Sequence, residues 1–166
     1  SSQESDQSRL WSIACGLLRS DPSWALGSLE HLLNGRGPSG DILYRVDGSV
    51  RMRQLEVDYS EERYAGATML HFAAMGTVQC PGGVETVRLL LRHGASVDAT
   101  ESSGRTPLHN ACLNGETEIA AALLDAGAAI DARDPDAEGD EGVFDGRFNT
   151  PLMVAAYFGR LRTVRL

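Results

Sequence analysis

Three groups of side chains in this sequence have types and spacings that could do chemistry. His71 and His109 each stand fourth in a T-x-L-H tetrapeptide, one starting at Thr68 and the other at Thr106. Histidines repeated in this way are the residue type for acid–base work or for a transition metal. Cys112 follows His109 by three residues, within one helical turn, which is the raw material of a Cys–His nucleophile. The third group is Asp134, Asp136, Glu138, Asp140 and Asp145, with Gly139 sixth, and it resembles a calcium loop.

The elements that would position these groups favour plainer roles. Cys112 shares a short apolar face with Leu108 and Ala111, where a thiol acts as a small hydrophobe with a raised pKa. No third group orients a Cys112–His109 pair, so catalysis is not expected. The acidic loop departs from the calcium pattern: Glu138 replaces a shorter ligand, Glu141 an apolar residue, and Asp145 the bidentate Glu. A solvated loop is expected there, or a contact for a basic partner. His31 and His93 fall on outer helices and are expected to be solvated, and loop residue Cys80 is the better redox candidate. The sequence has no phosphate loop, dinucleotide glycine motif, zinc-ligand pair or nucleophile elbow. No cofactor and no metal are expected.

Residues 104–133, GRTPLHNACLNGETEIAAALLDAGAAIDAR, read as one complete structural unit. Thr106 caps a helix whose first residue is Pro107, where the missing N–H costs nothing. Gly115 stops that helix. A second starts near Thr117 with Glu118 in its first turn, buries Ile119, Ala120, Leu123 and Leu124, and ends at Gly127. Ala128 to Arg133 forms an extended arm with Ile130 as its anchor.

These positions resemble the ankyrin repeat, with T-P-L-H-x-A, then G-x-x-E-I, then L-L-x-x-G-A. The resemblance implies an all-α solenoid of helix-turn-helix units with β-turn fingers. It also implies that the motif histidine bonds its own threonine and the backbone of the neighbouring finger, which leaves His71 and His109 no chemistry to do. Residues 66–99 repeat the pattern with Met69 in place of Pro, and 148–166 repeat it incompletely with Met153 in place of His. Motif threonines usually lie 33 residues apart. Here Thr68 to Thr106 is five residues longer, with the excess in 77–82, and Thr106 to Thr150 is eleven longer, with the excess in 134–146.

Upstream, 1–8 reads as a polar, disordered tail and 9–35 as a divergent capping helix pair ending at Asn34-Gly35. Residues 36–65 read as an extended hairpin finger around Asp47-Gly48, with a bulge near Gln54-Leu55. At 42% hydrophobic but only 6% aromatic residues, the core must be built from Leu, Ala, Val and Ile. The net charge of −8 argues against nucleic acid as the main partner. Three cysteines without metal spacing suggest a reducing, intracellular setting, cytoplasmic or nuclear. No apolar run reaches the roughly 20 residues of a membrane span.

The resemblance implies a protein-protein interaction module, not an enzyme, that takes a protein or peptide on its concave surface. The alternatives are a regulatory or targeting piece of a larger enzyme or channel, and a calcium-responsive module. The contact residues are expected at finger tips and at the open ends of inner helices: Ser102, Ser103, Arg105, Leu113, Asn114, Arg147, Asn149, Tyr157 and Phe158. Extending the chain past Leu166 by about ten to fifteen residues of its natural frame is expected to raise the melting temperature, because the last stripe is unfinished. Limited proteolysis is expected to cut first within 139–146, where Val143 and Phe144 are the only apolar residues. Faster cleavage at 89–92 would mean that the stack is not formed.

Overall fold

The computed structural model describes residues 2–18, 22–34, 45–46, 49–50, 56–76, 83–133 and 150–166. The loop at 134–145, the bulge near Gln54-Leu55, Cys80, Arg147 and Asn149 lie outside the described residues. Four helix pairs follow one another: α1 (Ser2–Leu18) with α2 (Pro22–Leu33), α3 (Met69–Ala74) with α4 (Gly83–Arg92), α5 (Pro107–Asn114) with α6 (Thr117–Asp125), and α7 (Pro151–Tyr157) with α8 (Leu161–Val164). Inner helices pack on inner helices, α3 on α5 and α5 on α7, and outer on outer, α2 on α4, α4 on α6 and α6 on α8. The result is an all-α solenoid.

Thr106 is extended, Pro107 opens α5, and Gly115 closes it with φ at 77°. Only a residue without Cβ enters that left-handed region at little cost. α6 is amphipathic, with Ile119, Ala120, Ala122 and Leu123 buried. In α5 the buried side chains include Leu108, Ala111 and Cys112. Leu70 of α3 and Leu90 of α4 are fully enclosed. Short helices of this length are marginal alone, so these interfaces hold them.

Short β pieces connect the pairs. β1 (Arg45–Val46) and β2 (Ser49–Val50) pair antiparallel across the two residues 47–48, as the Asp-Gly signal predicts. β3 (Ser60–Glu61) and β4 (Ala67–Thr68) pair antiparallel around a 3-10 turn at Glu62–Tyr64. That turn is a departure from the wholly non-helical segment expected there.

The amino terminus departs further from expectation. α1 starts at Ser2, not at the apolar stripe near Leu10, so 2–8 is helical and not a disordered tail. Gln7 is buried and its Oε1 accepts the Glu56 N–H at 3.0 Å, a bond 49 residues away in sequence that no local pattern announces. Trp11 of α1 then meets Tyr64 at 5.3 Å and Phe72 of α3 at 5.1 Å, docking the first pair on the second.

Ile130 is also corrected. It is 59% exposed; Ala128 is buried instead, with its N–H bonded to the Leu123 carbonyl. The matching Val57 and Val97 are half-buried. His31 and His93 are half-buried, not fully solvated.

Replacing Leu108 or Leu123 by Ala is expected to lower stability by about 2–5 kcal/mol. Both are enclosed, at 2% and 0% exposure. Ser102→Ala, at an exposed position, is the control and should change little. Chemical denaturation measures all three; equal effects would contradict the stacking.

Candidate protein-interaction surface

The surface is built outward from two threonine–histidine boxes. In each, the threonine N–H donates to the histidine Nδ1 three residues on, at 3.2 Å for both Thr68–His71 and Thr106–His109. The histidine backbone N–H returns the bond to the threonine side chain. The ring thus takes the part that Glu or Gln plays in an ordinary capping box. With Nδ1 accepting, the proton sits on Nε2. His71 Nε2–H therefore donates across to the next unit, to the Arg105 carbonyl at 3.0 Å.

That bond fixes the finger carrying Ser102, Ser103 and Arg105. The finger is a tight turn in which Gly104 N–H donates to Glu101 O and Glu101 N–H to Arg105 O. From the side, Ser102 N–H donates to the Ala65 carbonyl at 2.7 Å. Ala65 reaches it from a left-handed conformation, φ 58°, which a residue with a Cβ adopts only under constraint. Backbone bonds thus hold the tip while the Ser102 and Arg105 side chains stay exposed.

The other expected contact residues fall out unequally. Ser103 is half-buried and donates to Glu101 Oε1 at 2.9 Å, so it shapes the finger as well as lining it. Leu113 and Asn114 are half-buried, and Asn114 Nδ2 is used on the Asn110 carbonyl. Tyr157 and Phe158 are 62% and 41% exposed and meet edge to face at 5.2 Å. Leu113 and Tyr157 occupy equivalent places, seven residues after Thr106 and Thr150, on helices that pack together.

Catalytic geometry does not develop around Cys112. Burial pushes its thiol up to about 11, which leaves negligible thiolate at neutral pH. Among the described residues no cluster of three or more His, Cys, Asp or Glu could hold a metal ion. No described helix is long and apolar enough to cross a membrane.

A profile described as "Ankyrin repeats (3 copies)" matches residues 29–134, more than half of the chain. The chain belongs to the ankyrin-repeat family. It is 31% identical over 120 residues to protein phosphatase 1 regulatory subunit 27 of Mus musculus, covering 72% of this chain and 70% of that protein. The Homo sapiens protein of the same name is 32% identical over 110 residues, 66% of this chain and 63% of the relative. NF-kappa-B inhibitor alpha of Gallus gallus is 34% identical over 99 residues, 60% of this chain but 27% of that protein. The ankyrin stack and these relatives place the chain among protein-interaction modules.

Further ties between ankyrin units escaped the sequence reading. Asp58 Oδ1 accepts the Ser96 N–H at 2.8 Å, and Asp98 Oδ1 the Ala129 N–H at 2.9 Å. Their signal is a repeated β-branched residue followed by aspartate: Val57-Asp58, Val97-Asp98 and Ile130-Asp131. Asn110, almost fully buried, reaches the His71 carbonyl at 3.4 Å, and Arg160 Nε donates to the Leu113 carbonyl at 3.1 Å.

Burial holds the His71 pKa below its ordinary value of 6.5, despite opposing help from the Arg105 carbonyl and the Glu101 charge. Folded His71 binds a proton less readily than unfolded His71. Its contribution is therefore complete above about pH 6.5 and is lost as the pH falls through that value toward the folded pKa. Thermal melts from pH 8 to pH 5 should show a decline starting near pH 6.5. His71→Gln, less stable at pH 8, should lack that part of the slope; parallel profiles would contradict the buried neutral ring.

Proposed function

We propose that this chain is a non-catalytic recognition module that holds a protein or peptide on the concave side of its stack. The contact set is Ser102, Ser103, Arg105, Leu113, Asn114, Tyr157 and Phe158, extended by Arg147 and Asn149. The observation that supports it best is the finger at 101–105. Its backbone is held by the Arg105 carbonyl and the Ser102 N–H, while the Ser102 and Arg105 side chains point to solvent. A held backbone with exposed side chains loses little entropy on binding. Exposed aromatic and Arg residues are also the types that dominate hot spots.

The relatives are named as a phosphatase regulatory subunit and as an NF-kappa-B inhibitor. By that analogy the module acts by occupying a protein partner and altering its activity, not by turning over a substrate. It works in a reducing compartment, cytoplasmic or nuclear, with protein as its ligand and not nucleic acid.

The double variant Arg105→Ala with Tyr157→Ala tests the surface. Wild type and variant are immobilised side by side, and proteins retained from cell extract are identified by mass spectrometry and then titrated as pure proteins. A partner bound by wild type and weakened at least tenfold in the variant, at unchanged melting temperature, is expected. Equal affinity for both would move the site elsewhere. A collapsed melting temperature would make these residues part of the fold.

A further inference from the structure

We propose that the groove between the β3–β4 hairpin and the following finger binds an extended segment of a partner protein that is rich in Arg or Lys. One wall is the hairpin with Asp58 before it, and the other is the chain from Ser96 to Ser102. The space between them is about 680 Å³, within the roughly 300–1,000 Å³ of ligand pockets. It shares only Ser102 with the concave contact set, so it is a further surface and does not rest on that reading.

The two walls are tied to each other. Ser102 N–H donates to the Ala65 carbonyl at 2.7 Å, and Ser96 N–H donates to Asp58 Oδ1 at 2.8 Å. The His71 ring holds the second wall again through the Arg105 carbonyl. A ligand that enters a groove held in this way does not have to order it.

Charge and lining choose the occupant. Asp58, Glu62 and Glu101 line the groove, and among the described residues no Lys, Arg or His does. Asp58 and Glu101 each accept a bond from a neutral donor, the Ser96 N–H and the Ser103 hydroxyl, which leaves the carboxylate charge uncancelled. Arg105 stands on the same finger but is not part of the lining. A cleft lined by one sign of charge concentrates its field and draws in the opposite charge, here toward a chain of net −8. Nucleic acid and anionic lipid are repelled by the same charges. Among the described residues the carboxylates form no cluster that could hold a metal ion, so they suit cations spaced along a chain better than a single ion. The lining also includes Ala65 and Ala99. The aliphatic stems of Arg and Lys can lie on these small side chains while their heads reach the carboxylates.

The probe is a labelled peptide of about ten residues in which Arg alternates with Pro, which keeps it extended. It is set beside a version with citrulline for Arg, equal in shape but uncharged. Fluorescence anisotropy with the 166-residue chain is expected to show saturable binding of the Arg peptide, at least tenfold weaker with citrulline. Glu62→Gln with Glu101→Gln keeps an oxygen for Ser103 and should weaken binding at least tenfold at unchanged melting temperature. Thr100→Arg, at an exposed lining position, puts a competing cation into the groove and should do the same, so the test does not depend on one variant. Glu118→Gln with Asp125→Asn removes the same charge from exposed positions on α6 and should bind like wild type. The proposal is overturned if no saturation occurs at millimolar peptide, or if the α6 variant loses as much as the groove variants. It is overturned too if Arg105→Ala with Tyr157→Ala removes binding while the groove variants do not, which would place the peptide on the concave surface and leave that reading intact. Spermine binding as tightly as the peptide would assign the groove to a free polycation instead of a protein segment.

Discussion

The bond from the His71 ring to the Arg105 carbonyl is the contact on which the rest of the structure depends. A helix of 6 residues such as α3 has too few internal hydrogen bonds to persist alone. It persists because one face packs on α4 and another on α5. Apolar burial supplies the attraction but does not choose a register, since it is non-directional. The ring supplies the choice. It has one donor and one acceptor, one turned inward to Thr68 and the other outward to the next finger. A buried polar group left without its partner costs about 1–3 kcal/mol, so a misaligned finger is penalised at the buried ring, while the Arg105 carbonyl keeps its bond from the Glu101 N–H.

The same arrangement removes the chemistry that these residues could have done. His71 has both nitrogens committed within hydrogen-bond distance of protein groups, and Cys112 is kept protonated by the apolar packing around it. What remains open is surface. Finger tips and helix ends present Ser, Arg, Tyr and Phe from a backbone that is already ordered. An open surface of this kind suits a macromolecular ligand.

Much of the fold was legible in the sequence because its signals are local. Thr106 before Pro107, Gly115 after Asn114, and the spacing of Ile119 and Leu123 each act within one or two turns. The role of the histidines was legible because the motif places Thr and His three residues apart, which a helix start brings into contact. What escaped depends on partners far away in sequence. Helix α1 begins at Ser2 where polar composition suggested disorder, and buried Gln7 finds the Glu56 backbone. Asp58 and Asp98 cap turns 38 and 31 residues on. Ile130 reads like Val97 by pattern, yet it is exposed where Val97 is half-buried. In the candidate site, Ser103 and Asn114 look free as residue types and prove partly committed to Glu101 and Asn110. Exposure is a property of the stack as a whole, so a single unit's sequence cannot state it.

The central claim is that a neutral His71 ring, with its proton on Nε2, locks one unit to the next. Long-range nitrogen–proton NMR of the histidine rings at neutral pH tests it most directly. The account predicts for His71 a protonated Nε2, an unprotonated Nδ1, slow exchange with solvent, and a hydrogen-bond coupling from Nε2 to the Arg105 carbonyl. An Nδ1–H tautomer, or averaged nitrogen shifts that titrate near pH 6.5 as an exposed histidine does, would contradict it.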